Sequence, residues 1–151
     1  LLIGRWDLPK PRSRFNGVIA EGRTGPGGPR VAVLVPQTYM NESGRSVGPA
    51  RGALKLPLER VLVIHDEIDL PFGEIRTRLG GGLAGHNGLK SIRDALGSPD
   101  FMRARVGVGR PPTTDPDEVA SYVLSRFREP PEEVQAVVER AADEAERVVL
   151  P

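Results

Sequence analysis

The sequence predicts an α/β fold: a single domain over residues 1–151, with helices flanking a mixed, twisted sheet. Three observations carry this. Val61-Leu62-Val63-Ile64 is a continuous, mostly β-branched run, which reads as a strand buried on both faces. Glu74–Leu79 and Phe101–Gly109 alternate apolar and polar residues, the period of half-exposed strands. Leu89, Ile92 and Leu96 recur at helical spacing, as does a stripe of Val134, Val137, Val138, Ala141, Ala145 and Val148. Strands interleaved with helices in this order indicate layers packed on a sheet.

Taken in order, Leu1 to Trp6 reads as the last turn of a helix, with Trp6 as a packing residue at its end; since the first residue is leucine, the chain is expected to be an N-terminally shortened piece. Phe15–Arg23 and Arg30–Pro36 are extended runs joined by Thr24-Gly25-Pro26-Gly27-Gly28-Pro29, the pattern of a long-loop hairpin. Residues 42–54 are only weakly helical by composition, because Gly44, Gly48 and Pro49 oppose a helix. Glycine-dense residues 80–88 lead into the segment from Leu89, and Gly97 offers its stop. Asp115-Pro116-Asp117-Glu118 starts a helix expected to end near Ser125, and Pro130-Pro131-Glu132-Glu133 starts the last.

Composition narrows the function. There is no cysteine, so no disulfide framework and no thiolate chemistry, which fits a cytoplasmic setting. No apolar run reaches the roughly 18 residues of a membrane span. The net charge is only +1, yet residues from Glu129 onward carry −5, leaving +6 on residues 1–128. A basic body suits an anionic partner such as nucleic acid; a solvated charged surface is the bland alternative.

Four places could carry chemistry. His65-Asp66-Glu67-Ile68-Asp69 leaves the end of the apolar strand, where ligand groups gather in open α/β sheets. These groups could hold a divalent cation, or an acid could orient a histidine, or the acids could merely cap the strand exit. Gly80, Gly82 and Gly85 match a G-x-G-x-x-G pattern, but no βαβ unit precedes them, so a dinucleotide site is disfavoured. The loop instead delivers His86-Asn87 to a helix entrance, where backbone N–H groups suit phosphate or carbonyl oxygen. Tyr39 and Asn41 lie two residues apart after the hairpin: Tyr39 could stack on a base, and Asn41 could donate to an oxyanion or serve as a helix N-cap. Arg76, Arg78, Arg103 and Arg105 fall on polar strand faces and could clamp phosphates or simply face water.

Several ordered segments together resemble the bacterial peptidyl-tRNA hydrolase family. They are Ser13–Gly17, Pro36–Gly44, Val63–Pro71, Gly80–Ile92 and Phe101–Gly109. The resemblance implies an esterase that frees tRNA from a peptide left on its 3′ end, without metal or organic cofactor. It implies tRNA as the partner, a monomeric chain and a cytoplasmic location. Residue by residue, Asp66 matches the acid that supports the catalytic histidine. Asn41 and Tyr39 match positions around the ester, and His86 and Asn87 match the family's His-Asn pair, with Asn87 positioning the water or the tRNA end. Arg78 and Arg105 match positions that grip the tRNA backbone. The family's opening strand, and the segment with its catalytic histidine, find no match here, so the 151 residues alone are expected to be inactive. Leu83-Ala84 also replaces a smaller pair in the glycine loop. Two further readings stand beside this one: a non-catalytic RNA-binding relative, and a metal-dependent hydrolase using His65, Asp66, Asp69 and His86.

Overall fold

The computed structural model describes residues 1–83, 86–110, 115–118 and 129–150. They form two compact units: Leu1–Val61 with Leu79–Phe101, and Leu62–Arg78 with Met102–Val149.

The first unit opens with α1 (Leu2–Arg5), behind which Trp6 and Leu8 are buried. Strands β1 (Arg12–Arg14), β2 (Gly17–Arg23) and β3 (Arg30–Pro36) make an antiparallel sheet in that order. The predicted β2–β3 hairpin is present, with Ile19 opposite Leu34. The predicted strand start at Phe15 is corrected. Phe15 and Asn16 are a two-residue turn between β1 and β2, with φ 57° and 52°. Two consecutive positive φ values are the type I′ geometry that matches strand twist. Asn16, a residue type that tolerates positive φ, was its readable signal. Gly17 lets the hairpin close onto β3, since a Cβ there would come within 2.7 Å of the Val35 carbonyl oxygen.

After a 3-10 turn at Met40–Glu42 comes α2 (Gly44–Leu54), a full helix where the composition argued against one. Tertiary packing accounts for the disagreement. A Cβ on Gly44 would lie 2.3 Å from the Ser91 carbonyl oxygen, and one on Gly48 would lie 3.2 Å from the Ala95 methyl. The glycines that weaken α2 are what lets it approach α3 (Asn87–Leu96). The Gly44 N–H donates to Ser91 Oγ at 2.8 Å. Leu89, Ile92 and Leu96 are buried as predicted, and Gly97 ends α3 in the left-handed conformation.

The second unit holds a mixed sheet ordered β4 (Leu62–Glu67), β6 (Met102–Gly107), β5 (Ile75–Leu79). Strands β4 and β6 are parallel, with Asp66 opposite Val106. The Gly73 N–H donates to Gly107 O, and the Gly107 N–H to Glu74 O; the start of β5 therefore meets the end of β6, and the two run antiparallel. The last helix, α4 (Pro131–Val149), packs on β4 and β6 through Val137, Ala142 and Ala145. Val138, assigned to its apolar stripe, is instead exposed. The reading of β4 as buried on both faces is also corrected: Ile64 is 44% exposed, and among the described residues β4 lies at an edge of this sheet. Arg103, expected on a polar face, is buried at 1% exposure. The helix start at Asp115 appears as three helical residues, Pro116–Glu118, with the Asp117 N–H on Asp115 Oδ1 at 2.9 Å. Its predicted continuation to Ser125 lies outside the described residues.

Candidate active site

The site begins with a helix entrance. His86 is the N-cap of α3, and its Nδ1 accepts the Leu89 N–H at 3.2 Å. An acceptor nitrogen carries no proton, so in the neutral ring Nε2 is the protonated nitrogen and can only donate. The next residue, Asn87, is exposed at the first position of α3. Glycine-rich chain before it and outward N–H groups after it make this end receptive to an oxygen that bears negative charge.

Against this entrance lies the Met40–Glu42 turn. A Cβ on Gly88 would come within 2.7 Å of Met40 Sδ, so the turn and the first turn of α3 are in direct contact. Asn41, in the middle of the turn, is exposed. The alternative of Asn41 as an N-cap is not realised. Tyr39 occupies that position for the 3-10 turn and Ser43 for α2. Tyr39 is 81% exposed, and Ser43 donates back to the Met40 carbonyl at 2.8 Å. Two amides, a histidine and an aromatic ring are therefore carried by adjacent elements of one unit.

The remaining predicted residues lie in the other unit. Asp66 is half-buried near the C-terminal end of β4. Its carbonyl accepts from His65 Nδ1 at 2.8 Å. Glu67, only 7% exposed, accepts both Nε (3.1 Å) and Nη2 (3.0 Å) of Arg105 on a single oxygen. Asp69 accepts from Arg110 through Nε at 3.2 Å and Nη2 at 2.5 Å. Arg78 is exposed on β5, whereas Arg105 is engaged in an ion pair that sequence spacing could not reveal. The metal reading loses its donors here. Asp69 is held by an arginine, and among the described residues no three His, Cys, Asp or Glu side chains are grouped to hold an ion.

A family model described as peptidyl-tRNA hydrolase matches residues 1–150. The chain belongs to the peptidyl-tRNA hydrolase family. It is 49% identical over 152 residues to the peptidyl-tRNA hydrolase of Mycobacterium sp. strain KMS, covering 99% of this chain and 77% of that one. Against the peptidyl-tRNA hydrolase of Sorangium cellulosum it is 53% identical over 116 residues, 77% of this chain and 51% of the other. Among solved structures, the crystal structure of peptidyl-tRNA hydrolase from Acinetobacter baumannii superposes with a TM-score of 0.79. The two are 35% identical, over 95% of this chain and 70% of that one. Membership in the peptidyl-tRNA hydrolase family agrees with the fold class and with an ester hydrolase. No described helix is long and apolar enough to cross a membrane.

Proposed function

We propose that this chain binds the ester end of peptidyl-tRNA and contributes to its hydrolysis. The observation that carries the proposal is the contact between the Asn41 turn and the start of α3, where Met40 Sδ meets Gly88. It puts two side-chain amides beside a helix N-terminus. When water adds to the ester carbonyl, negative charge grows on the carbonyl oxygen. Amide and backbone N–H donors held near that oxygen would stabilise the charge. The tRNA hydroxyl then leaves, and the peptide departs as a carboxylic acid. Asp66 is assigned the support of a cationic general base, Arg78 a phosphate contact, and Tyr39 a stacking surface.

His86 is assigned a donor's part, not a base's, because its Nδ1 is spent on the Leu89 N–H. His65 donates its Nδ1–H to the Asp66 carbonyl, so its unprotonated nitrogen is Nε2, and that atom is buried away from the substrate-accessible surface. With neither histidine placed as base, the 151 residues by themselves are proposed to bind substrate but to turn it over slowly. The test is single-turnover cleavage of a peptidyl-tRNA by the 151-residue chain, with binding measured in parallel. Binding with turnover far below about 1 per second is expected. Turnover at that level or above, abolished by His86→Ala, would overturn the assignment of His86.

A further inference from the structure

The chain's sulfur is confined to two methionines, Met40 and Met102, with no cysteine to be oxidised before them. Met102 is half-buried on β6, the strand between β4 and β5. Met40 is 49% exposed. We propose that Met40 is an oxidation site: a peroxide converts its thioether to the sulfoxide, the contact between the Met40–Glu42 turn and α3 opens, and reduction closes it again. The effect on cleavage rests on the peptidyl-tRNA reading; the oxidation and the opening do not.

The sulfur sits where a change matters. Gly88 has no side chain, and Met40 Sδ takes up the space: a Cβ there would meet Sδ at 2.7 Å and His86 Cε1 at 2.9 Å. On the other side Ser43 is buried, with its Oγ 4.0 Å from Sδ while it donates to the Met40 carbonyl at 2.8 Å. A soft apolar atom therefore closes the joint between the turn that carries Asn41 and the helix entrance that carries Asn87.

The chemistry balances. A sulfur lone pair attacks one peroxide oxygen, the S–O bond forms as the O–O bond breaks, and a proton shift releases water. Sulfur gives up two electrons and the peroxide takes them. The product is polar and chiral, with an oxygen that is a strong acceptor. The Gly88 side has no room for that oxygen, and burying it unpaired is unfavourable. It either turns to water or takes the Ser43 hydroxyl from the Met40 carbonyl. Both movements draw the sulfur off Gly88 and shift Asn41 from the start of α3. A dithiol-dependent sulfoxide reductase restores the thioether, with the oxygen leaving as water and the dithiol becoming a disulfide.

The experiment treats the 151-residue chain with dilute hydrogen peroxide and samples it over time. Peptide mass spectrometry follows added oxygen at each methionine, hydrogen exchange follows the Leu89 and Lys90 amides, both bonded to His86, and single-turnover cleavage of a peptidyl-tRNA is run alongside. Met40 should be oxidised well before Met102. The two amides should then exchange faster, cleavage should slow about tenfold, and sulfoxide reductase with dithiothreitol should reverse both. Met40→Leu keeps an apolar side chain of similar volume without a thioether, so its exchange and cleavage after peroxide should match its own untreated values. Met102→Leu should respond as wild type does. Oxidation of Met102 as fast as Met40 would overturn the proposal, as would a loss that Met40→Leu does not prevent or that reductase does not reverse. Selective oxidation of Met40 with exchange and cleavage unchanged, beside cleavage that still depends on Asn41, would overturn the switch and leave the peptidyl-tRNA reading standing. Cleavage indifferent to Asn41, with exchange that rises on Met40 oxidation and falls on reduction, would overturn the ester site and support the switch.

Discussion

The side-chain amide of Asn16 donates to the Arg45 carbonyl, and that carbonyl is the one Pro49 leaves without a helical partner. In an α-helix the N–H of residue 49 would bond the oxygen of residue 45, and proline has no N–H to give. A turn residue from β1–β2 thus completes the hydrogen bonding of α2. Asn16 also sits at φ 52°, a region that asparagine tolerates better than most residues.

Two substitutions separate these roles. Asn16→Gly keeps the backbone conformation and loses the bond, so it should destabilise by about 1 kcal/mol; Asn16→Ala adds left-handed strain and should cost about 1–2 kcal/mol more. Pro49→Ala returns an N–H to the Arg45 carbonyl, so Asn16→Gly should cost less in that background. Urea melts of the double-mutant cycle measure the coupling, and strict additivity would show that the Asn16 amide and an N–H at position 49 do not compete for that carbonyl.

Gly44→Ala should destabilise by about 2–3 kcal/mol, although alanine is the better helix former, because its methyl would lie 2.3 Å from the Ser91 carbonyl oxygen. Gly52→Ala, in the same helix with nothing within 4 Å of the added methyl, should stabilise by up to about 1 kcal/mol. Thermal melts of the pair check that close approach, not propensity, decides the sign.

Asn41→Ala and Asn87→Ala should each lower the single-turnover rate on peptidyl-tRNA about 10²-fold relative to wild type, with a smaller change in binding. Equal losses in rate and in binding would make the amides substrate contacts with no special hold on the transition state.

Arg78 and Arg105, grouped together by their sequence pattern, should behave differently. Arg78→Ala should leave the fold intact and reduce the salt slope of tRNA binding by about one unit. Arg105→Ala strands the Glu67 carboxylate, whose side chain is 8% exposed, and should destabilise by about 3 kcal/mol. Adding Glu67→Gln to Arg105→Ala should recover part of that loss. Denaturant melts beside filter binding separate the two effects.

The sequence by itself determined the elements whose cause is local. The apolar spacing of Leu89, Ile92 and Leu96, with Gly97 behind them, fixed α3, and two extended runs joined by the Gly- and Pro-rich stretch 24–29 fixed the β2–β3 hairpin. It also put Tyr39, Asn41, His86 and Asn87 in view, since loops rich in glycine and amides are chemically distinct on the page. Only the tertiary structure decided that α2 is a helix, because its glycines and proline are unfavourable alone and become useful when Ser91 and Asn16 are beside them. It alone turned Arg105 from a surface cation into the partner of Glu67, 38 residues away, and put Arg103 in the interior. It also placed β4 at an edge among the described residues. Residue type and period record which face of an element is apolar; which neighbour covers that face, and which charge meets which, depend on contacts far apart in the chain that no local pattern encodes.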